Sequence, residues 1–169
     1  LESIGEVGGS DSGRDVTVLE VLDAAVRNLD RGGVDPWYEA QVRMNLASSF
    51  EEAHDYRKAQ AQASRTMELA RELDPLIWAR SASTFATSSL QLGEPGGIAE
   101  LADEVLACFE ADQPNDPFVK AAVLSELGTC HKRLGDPETA EVLLRRSLAL
   151  HPLLSGANVD SLRFWTVVE

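Results

Sequence analysis

The sequence predicts an all-α solenoid built from about three helix pairs, and three observations carry that reading. Asp-Pro pairs begin at Asp35, Asp74 and Asp116, in steps of 39 and then 42 residues. Acidic turn residues at Asp55, Glu94 and Asp136 repeat the same irregular steps. Two ladders that share one irregular spacing mark three copies of a single unit, and units of this length bury their apolar faces against their neighbours in a stack. The third observation is composition: 44% of residues are apolar, and the good helix formers Ala, Leu, Glu and Arg are abundant. A stack of this kind offers a binding surface more readily than a catalytic pocket.

The elements follow in order. Residues 1–14 are rich in Gly and Ser, show no sustained period, and read as a linker or lead-in. Residues 15–169 are expected to form one domain. From Asp15 to Asp30, Val18, Leu19, Leu22, Val26 and Leu29 recur at helical steps, and Gly32-Gly33 closes a capping helix spanning 15–33. In repeat 1 (35–73), Asp35 caps and Pro36 starts a helix to about Ala53, with Val42, Leu46 and Phe50 facing inward. His54-Asp55 turns the chain into a second helix, where Ala59, Ala63, Met67 and Ala70 lead to Leu73. In repeat 2 (74–115), Ala82, Phe85, Ala86 and Leu90 face inward, Leu92-Gly93-Glu94-Pro95 turns, and Ile98 to Phe109 returns. In repeat 3 (116–152), Val123, Leu124, Leu127 and Leu134 precede the turn Gly135-Asp136-Pro137, and Ala140, Leu143, Leu144 and Leu148 follow. A closing helix within 155–169, about Val159 to Val168, offers Leu162, Phe164 and Trp165 to cover the end.

Charge and composition exclude several classes. The net charge of −13 opposes nucleic-acid binding, which needs clustered Lys and Arg. The acidity concentrates in the middle unit, where Arg80 is the one basic residue against seven acidic ones. No apolar run approaches the roughly 20 residues that span a bilayer, so a soluble segment without membrane insertion is expected. The chain opens at Leu1 without a starting Met, and it reads as an excised part of a longer protein. The compartment stays open. Cys108 and Cys130 fit no metal or redox spacing and read as free thiols among apolar helical positions, with a disulfide as the alternative. His54, His131 and His151 do not pair at ligand spacing, and no nucleophile motif or paired acid is present, so neither a metal, a cofactor nor catalysis is expected. Six of the nine residues from Ser81 to Ser89 carry hydroxyls, which we read as small side chains permitting tight helix packing.

The third unit carries a family resemblance. AAVLSELGTCHKRLGDPETAEVLLRRSLALHP resembles a tetratricopeptide repeat over its full length: Leu124, Leu127-Gly128, Ala140 and Pro152 stand at the pattern's positions, with His131 replacing its aromatic. Gly128 and Ala140 allow two helices to approach closely at their crossing. The first unit (Leu46-Ala47, Phe50, Ala59) and the second (Phe85-Ala86, Leu92-Gly93) match less fully in the same register. Gly96-Gly97 and Ile98, which stands where a small residue is expected, predict an offset or loosened return helix. The long steps predict second helices one to two turns longer than the family's. In the lead-in, GRDVTVLEVLDAAVRNLD followed by DPWYEAQVRMNLASSF is similar to the junction before the repeats of some bacterial serine/threonine protein kinases.

The resemblance implies a right-handed superhelix whose concave face is lined by the first helix of each pair. It places groove residues at Gln41, Met44, Ser48, Glu51 and Glu52, then Arg80, Ser83, Thr87 and Gln91, then Ser125, Thr129, Lys132 and Arg133. The implied groove is hydroxyl-lined, acidic at one end and basic at the other, and suits a protein or extended peptide. The Lys/Asn clamp of chaperone-binding relatives is not reproduced, since Met44 and Ser48 occupy those places. The implied role is a non-catalytic interaction module, the scaffold or sensor region of a larger bacterial signalling protein. Effector sensing and self-association as a homodimer, through Trp165 or the terminal helices, are the alternatives.

Overall fold

The computed structural model describes residues 17–111 and 116–153. These residues form α1 (Val18–Asp30), α2 (Pro36–Glu52), α3 (Tyr56–Ala70), α4 (Pro75–Gln91), α5 (Ile98–Ala111), α6 (Pro117–Leu134) and α7 (Pro137–Leu150), followed by a 3-10 turn at His151–Leu153. No strand occurs among the described residues. The three Asp-Pro pairs begin α2, α4 and α6 in the same way. Each Asp carboxylate accepts two backbone N–H groups of the first turn, and each Pro occupies the first helical position, where its missing N–H costs nothing. Asp55 and Asp136 cap α3 and α7. The Glu94 carboxylate at the matching rung instead meets Arg57 and Gln60.

The helices stack as pairs, α2 with α3, α4 with α5 and α6 with α7, and consecutive first helices α2, α4 and α6 lie side by side. Close approach within pairs depends on small residues at one register. Ala47 and Ala59 are both fully buried in the first pair. In the third, a Cβ added to Gly128 would lie 2.8 Å from Leu144 Cγ and 3.3 Å from the Ala140 carbonyl oxygen. Ile98 occupies that register in the middle pair and is fully buried. There α5 packs on α4 far more sparsely than the return helices of the other pairs do on theirs. The bulk of Ile98 holds the two helices apart, and Gly97, at φ +80°, delays the helix start.

One apolar core runs from Ala40 and Met44 on α2 through α4 and α5 to Leu143 on α7. A smaller one seats α1 against Leu46, Phe50 and Ala59. Beside it, Arg43 is only 4% exposed and binds Asp30 at 2.7 Å, Glu39 at 2.8 Å and Gln62 at 2.8 Å, joining α1, α2 and α3. A buried guanidinium with three partners satisfies the fork geometry of arginine.

Several expectations need correction. The capping helix begins at Val18, because Thr17 and Glu20 form a reciprocal capping box. Helix α3 ends at Ala70 rather than Leu73, since Asp74 precedes a proline and is held extended. The long repeat step does not lengthen the second helices: the first helices have 17, 17 and 18 residues, the second 15, 14 and 14. Val42, Leu134 and Leu148, expected inside, are exposed, as is Val18 on α1. Val18, Leu134 and Leu148 lie past the contact lines of their helices, while Val42 faces the side on which no first helix precedes α2 among the described residues. Cys108 and Cys130 are free, and burial pushes the Cys130 thiol up to about 12, so it stays protonated. Among the described residues no helix is long and apolar enough to cross a membrane. The lead-in 1–14, the closing helix within 155–169 and Trp165 lie outside the described residues.

Candidate binding groove

The face formed by α2, α4 and α6 carries two adjoining hollows, of about 530 and 610 Å³. Both are lined by Glu51 and Glu52 from α2 and by Phe118, Ala122 and Glu126 from α6. Helix α4 forms the floor between them. Beyond Ile77 and Trp78 in its first turn, its buried face is small, with Ala79, Ser81, Ala82, Ala86, Ser88 and Ser89 all within 1% exposure. Those side chains let α4 sit between four other helices without being prised away from them.

Two hydroxyls of α4 grip two carboxylates in the groove. Ser83 Oγ donates to Glu126 at 2.5 Å, and Thr87 Oγ1 donates to Glu51. The gripping residues are one turn apart on α4, so the two carboxylates are held at neighbouring rungs of the groove. Burial is the main cause raising the Glu51 carboxyl above its ordinary value; the Thr87 hydrogen bond opposes it and neighbouring Glu52 adds to it. Glu126 is pushed up to about 7, first by desolvation between the walls and further by Glu51, against the Ser83 hydrogen bond and the Arg80 charge. The residue is open at the groove mouth, and water there screens part of this effect. Each hydroxyl also has a second acceptor on its own helix: the Arg80 carbonyl 2.9 Å from Ser83, and the Thr84 carbonyl 3.1 Å from Thr87.

Of the residues placed in the groove from sequence, Ser48, Glu51, Glu52, Arg80, Ser83, Thr87, Gln91, Ser125, Thr129 and Arg133 line the hollows. Gln41 and Lys132 do not. Met44 belongs to the core, where it packs with Ala40 and the α4 alanines. The charge order also differs from a simple gradient. Arg80 lines one hollow, Arg133 the other, and the carboxylates of Glu51 and Glu126 lie in both. Sequence reading missed Glu126, Phe118, Ala122, Thr84, His54 and Tyr56 as lining residues. The signal for Glu126 is its rung: it stands at the position of Thr84 one unit earlier, beside the α2–α4–α6 seam, and a charge at a seam position marks an opening. Among the described residues no group of three His, Cys, Asp or Glu side chains is arranged to hold a metal.

Comparison of the sequence with protein-family models and with curated proteins finds no match. Among solved structures, the chain is similar to the TPR domain of Arabidopsis FLU, with a TM-score of 0.56 and 20% identity, over 71% of this chain and 100% of that one. With that likeness and the three stacked pairs, the fold is an all-α helical solenoid of the tetratricopeptide-repeat type.

Proposed function

We propose that this chain is a non-catalytic protein-interaction module that receives an extended peptide in the groove across α2, α4 and α6. The observation that carries the reading is the continuity of the two hollows, which share five lining residues and draw side chains from three rigid helices. A preformed site of this kind binds without the entropic cost of assembling itself. The likeness of the lead-in to kinase junctions supports a role as scaffold or sensor region in a larger bacterial signalling protein. A small effector is the second reading, favoured by the apolar side of the larger hollow, where Phe118, Ala122 and Tyr56 meet.

Selection of random heptapeptides displayed on phage, with the immobilised protein as bait, tests the proposal. Ala122 lines both hollows and is half-buried, so Ala122→Trp fills the groove without entering the core. Selected peptides should bind this variant at least tenfold more weakly. Peptides that bind both proteins equally, or a selection that yields none, would remove the groove as a peptide site.

A further inference from the structure

Resting on the groove reading above, we infer that Glu51 and Glu126 together receive one cationic side chain, a lysine or arginine, of the bound extended peptide. The geometry is specific. Two carboxylates arrive from opposite walls, one from α2 and one from α6, and α4 holds each by a single hydroxyl. Each therefore keeps oxygen lone pairs free to accept from a donor between them. Held at neighbouring rungs on α4, the two carboxylates can share a guanidinium fork or an ammonium with its three donors.

A second observation is independent of the carboxylates. Ser125 and Thr84 are 3% and 8% exposed, both line the hollows, and neither hydroxyl has a hydrogen-bond partner among the described residues. Each side chain is set in a wall of a hollow onto which its hydroxyl opens, so a polar group of a ligand in the hollow can replace the water that meets it there. They flank the carboxylate pair from α6 and α4, where the backbone N–H and C=O groups of an extended peptide would pass.

Charge complementarity selects the sign of the occupant. Glu52 adds a third negative group to the same walls. Arg80 lines one hollow and Arg133 the other, and although the Arg80 charge acts on Glu126, neither guanidinium closes an ion pair with the carboxylates among the described residues. The Glu51 charge raises the Glu126 carboxyl, and a partner's cation placed between the two would relieve that repulsion. A metal ion is the poorer fit, because the described residues bring no third ligand to the pair.

The phage-selected peptides decide the matter when read against four variants. Glu126→Gln and Glu51→Gln keep side-chain size and a hydrogen-bond acceptor for Ser83 or Thr87, and thermal melts by circular dichroism confirm that each is folded. Peptides released by Ala122→Trp should carry Lys or Arg at one position. Replacing that Arg with neutral citrulline should weaken binding to the wild type at least tenfold. The double variant Glu51→Gln/Glu126→Gln should bind the two peptides alike. Peptides that lose binding to Ala122→Trp yet show no basic position, or bind equally with citrulline, would overturn the cation inference and leave the groove reading standing. Peptides indifferent to Ala122→Trp would overturn both.

Discussion

Glu126 and Gly128 stand two positions apart on α6 and answer to opposite demands. Gly128 faces α7, where an added methyl would press on Leu144 Cγ at 2.8 Å. That atom is the branch point of a 7% exposed side chain and has little room to retreat. Gly128→Ala should therefore lower stability by about 1–2 kcal/mol despite its better helix propensity, as read by urea denaturation. Glu126 faces the groove. Desolvation between the walls pushes its folded carboxyl from an ordinary value of 4.5 up to about 7, and water at the groove mouth trims that shift. Between those values the unfolded chain sheds a proton that the folded chain retains, so ionisation works against the fold as pH rises. Melting temperatures of wild type and Glu126→Gln should differ least near pH 4, with the variant gaining steadily toward pH 8. A constant offset across that range would contradict the assigned environment. Arg43 gives the third case at this scale. Truncating it leaves buried Gln62 without its partner and half-buried Glu39 with only the more distant Arg65 at 3.8 Å, so Arg43→Ala should cost about 3–5 kcal/mol, and Lys should recover only part because it cannot span three acceptors.

At the scale of the element, helix positions were legible in the sequence wherever a local rule acts alone. Asp-Pro names the first turn of α2, α4 and α6 because the cap and the fixed proline φ lie within three residues of each other. The loosened α5 was legible too, since Ile98 breaks a register held by Ala59 and Ala140. What escaped depends on partners far along the chain. The Arg43 cluster gathers residues from three helices, and periodicity reads only a charged residue on a helix. Val42 sits at the register where Ser81 and Val123 are buried, and it is exposed because α2 has no first helix before it among the described residues. Met44 went the other way, into the core, because α4 packs over it with small side chains. For α5 the expectation is direct: its backbone amides should exchange with deuterium faster than those of α3 and α7. Equal protection would show that packing behind Ile98 is as cohesive as in its neighbours.

For the whole molecule, cohesion passes from unit to unit. Thr87 reaches back to Glu51, Ser83 forward to Glu126, Trp37 Nε1 to Asp74 at 3.3 Å, and Arg71 to Glu104 at 3.1 Å. The exposed pairs among these contribute little individually. A net charge of −13 on a stacked array instead makes self-repulsion a global quantity. Raising salt from about 50 to 500 mM should increase the melting temperature, because screening relieves the acidic middle unit more than it weakens scattered pairs. A fall in melting temperature over that range would mean that the surface pairs outweigh the repulsion.

The sparse seating of α5 gives this array a compliant joint at its centre. Two cohesive hairpins flank a soft one, and the groove straddles the soft one, with Glu51 on one side and Glu126 on the other. Tension applied along the stack would be taken up first at that joint, drawing the walls apart and widening the hollow between them. The grip on a guest would then vary with the pull on the chain: affinity measured on a tethered molecule should fall as load is applied, and Ile98→Val, which trims the wedge, should shift that response to higher force.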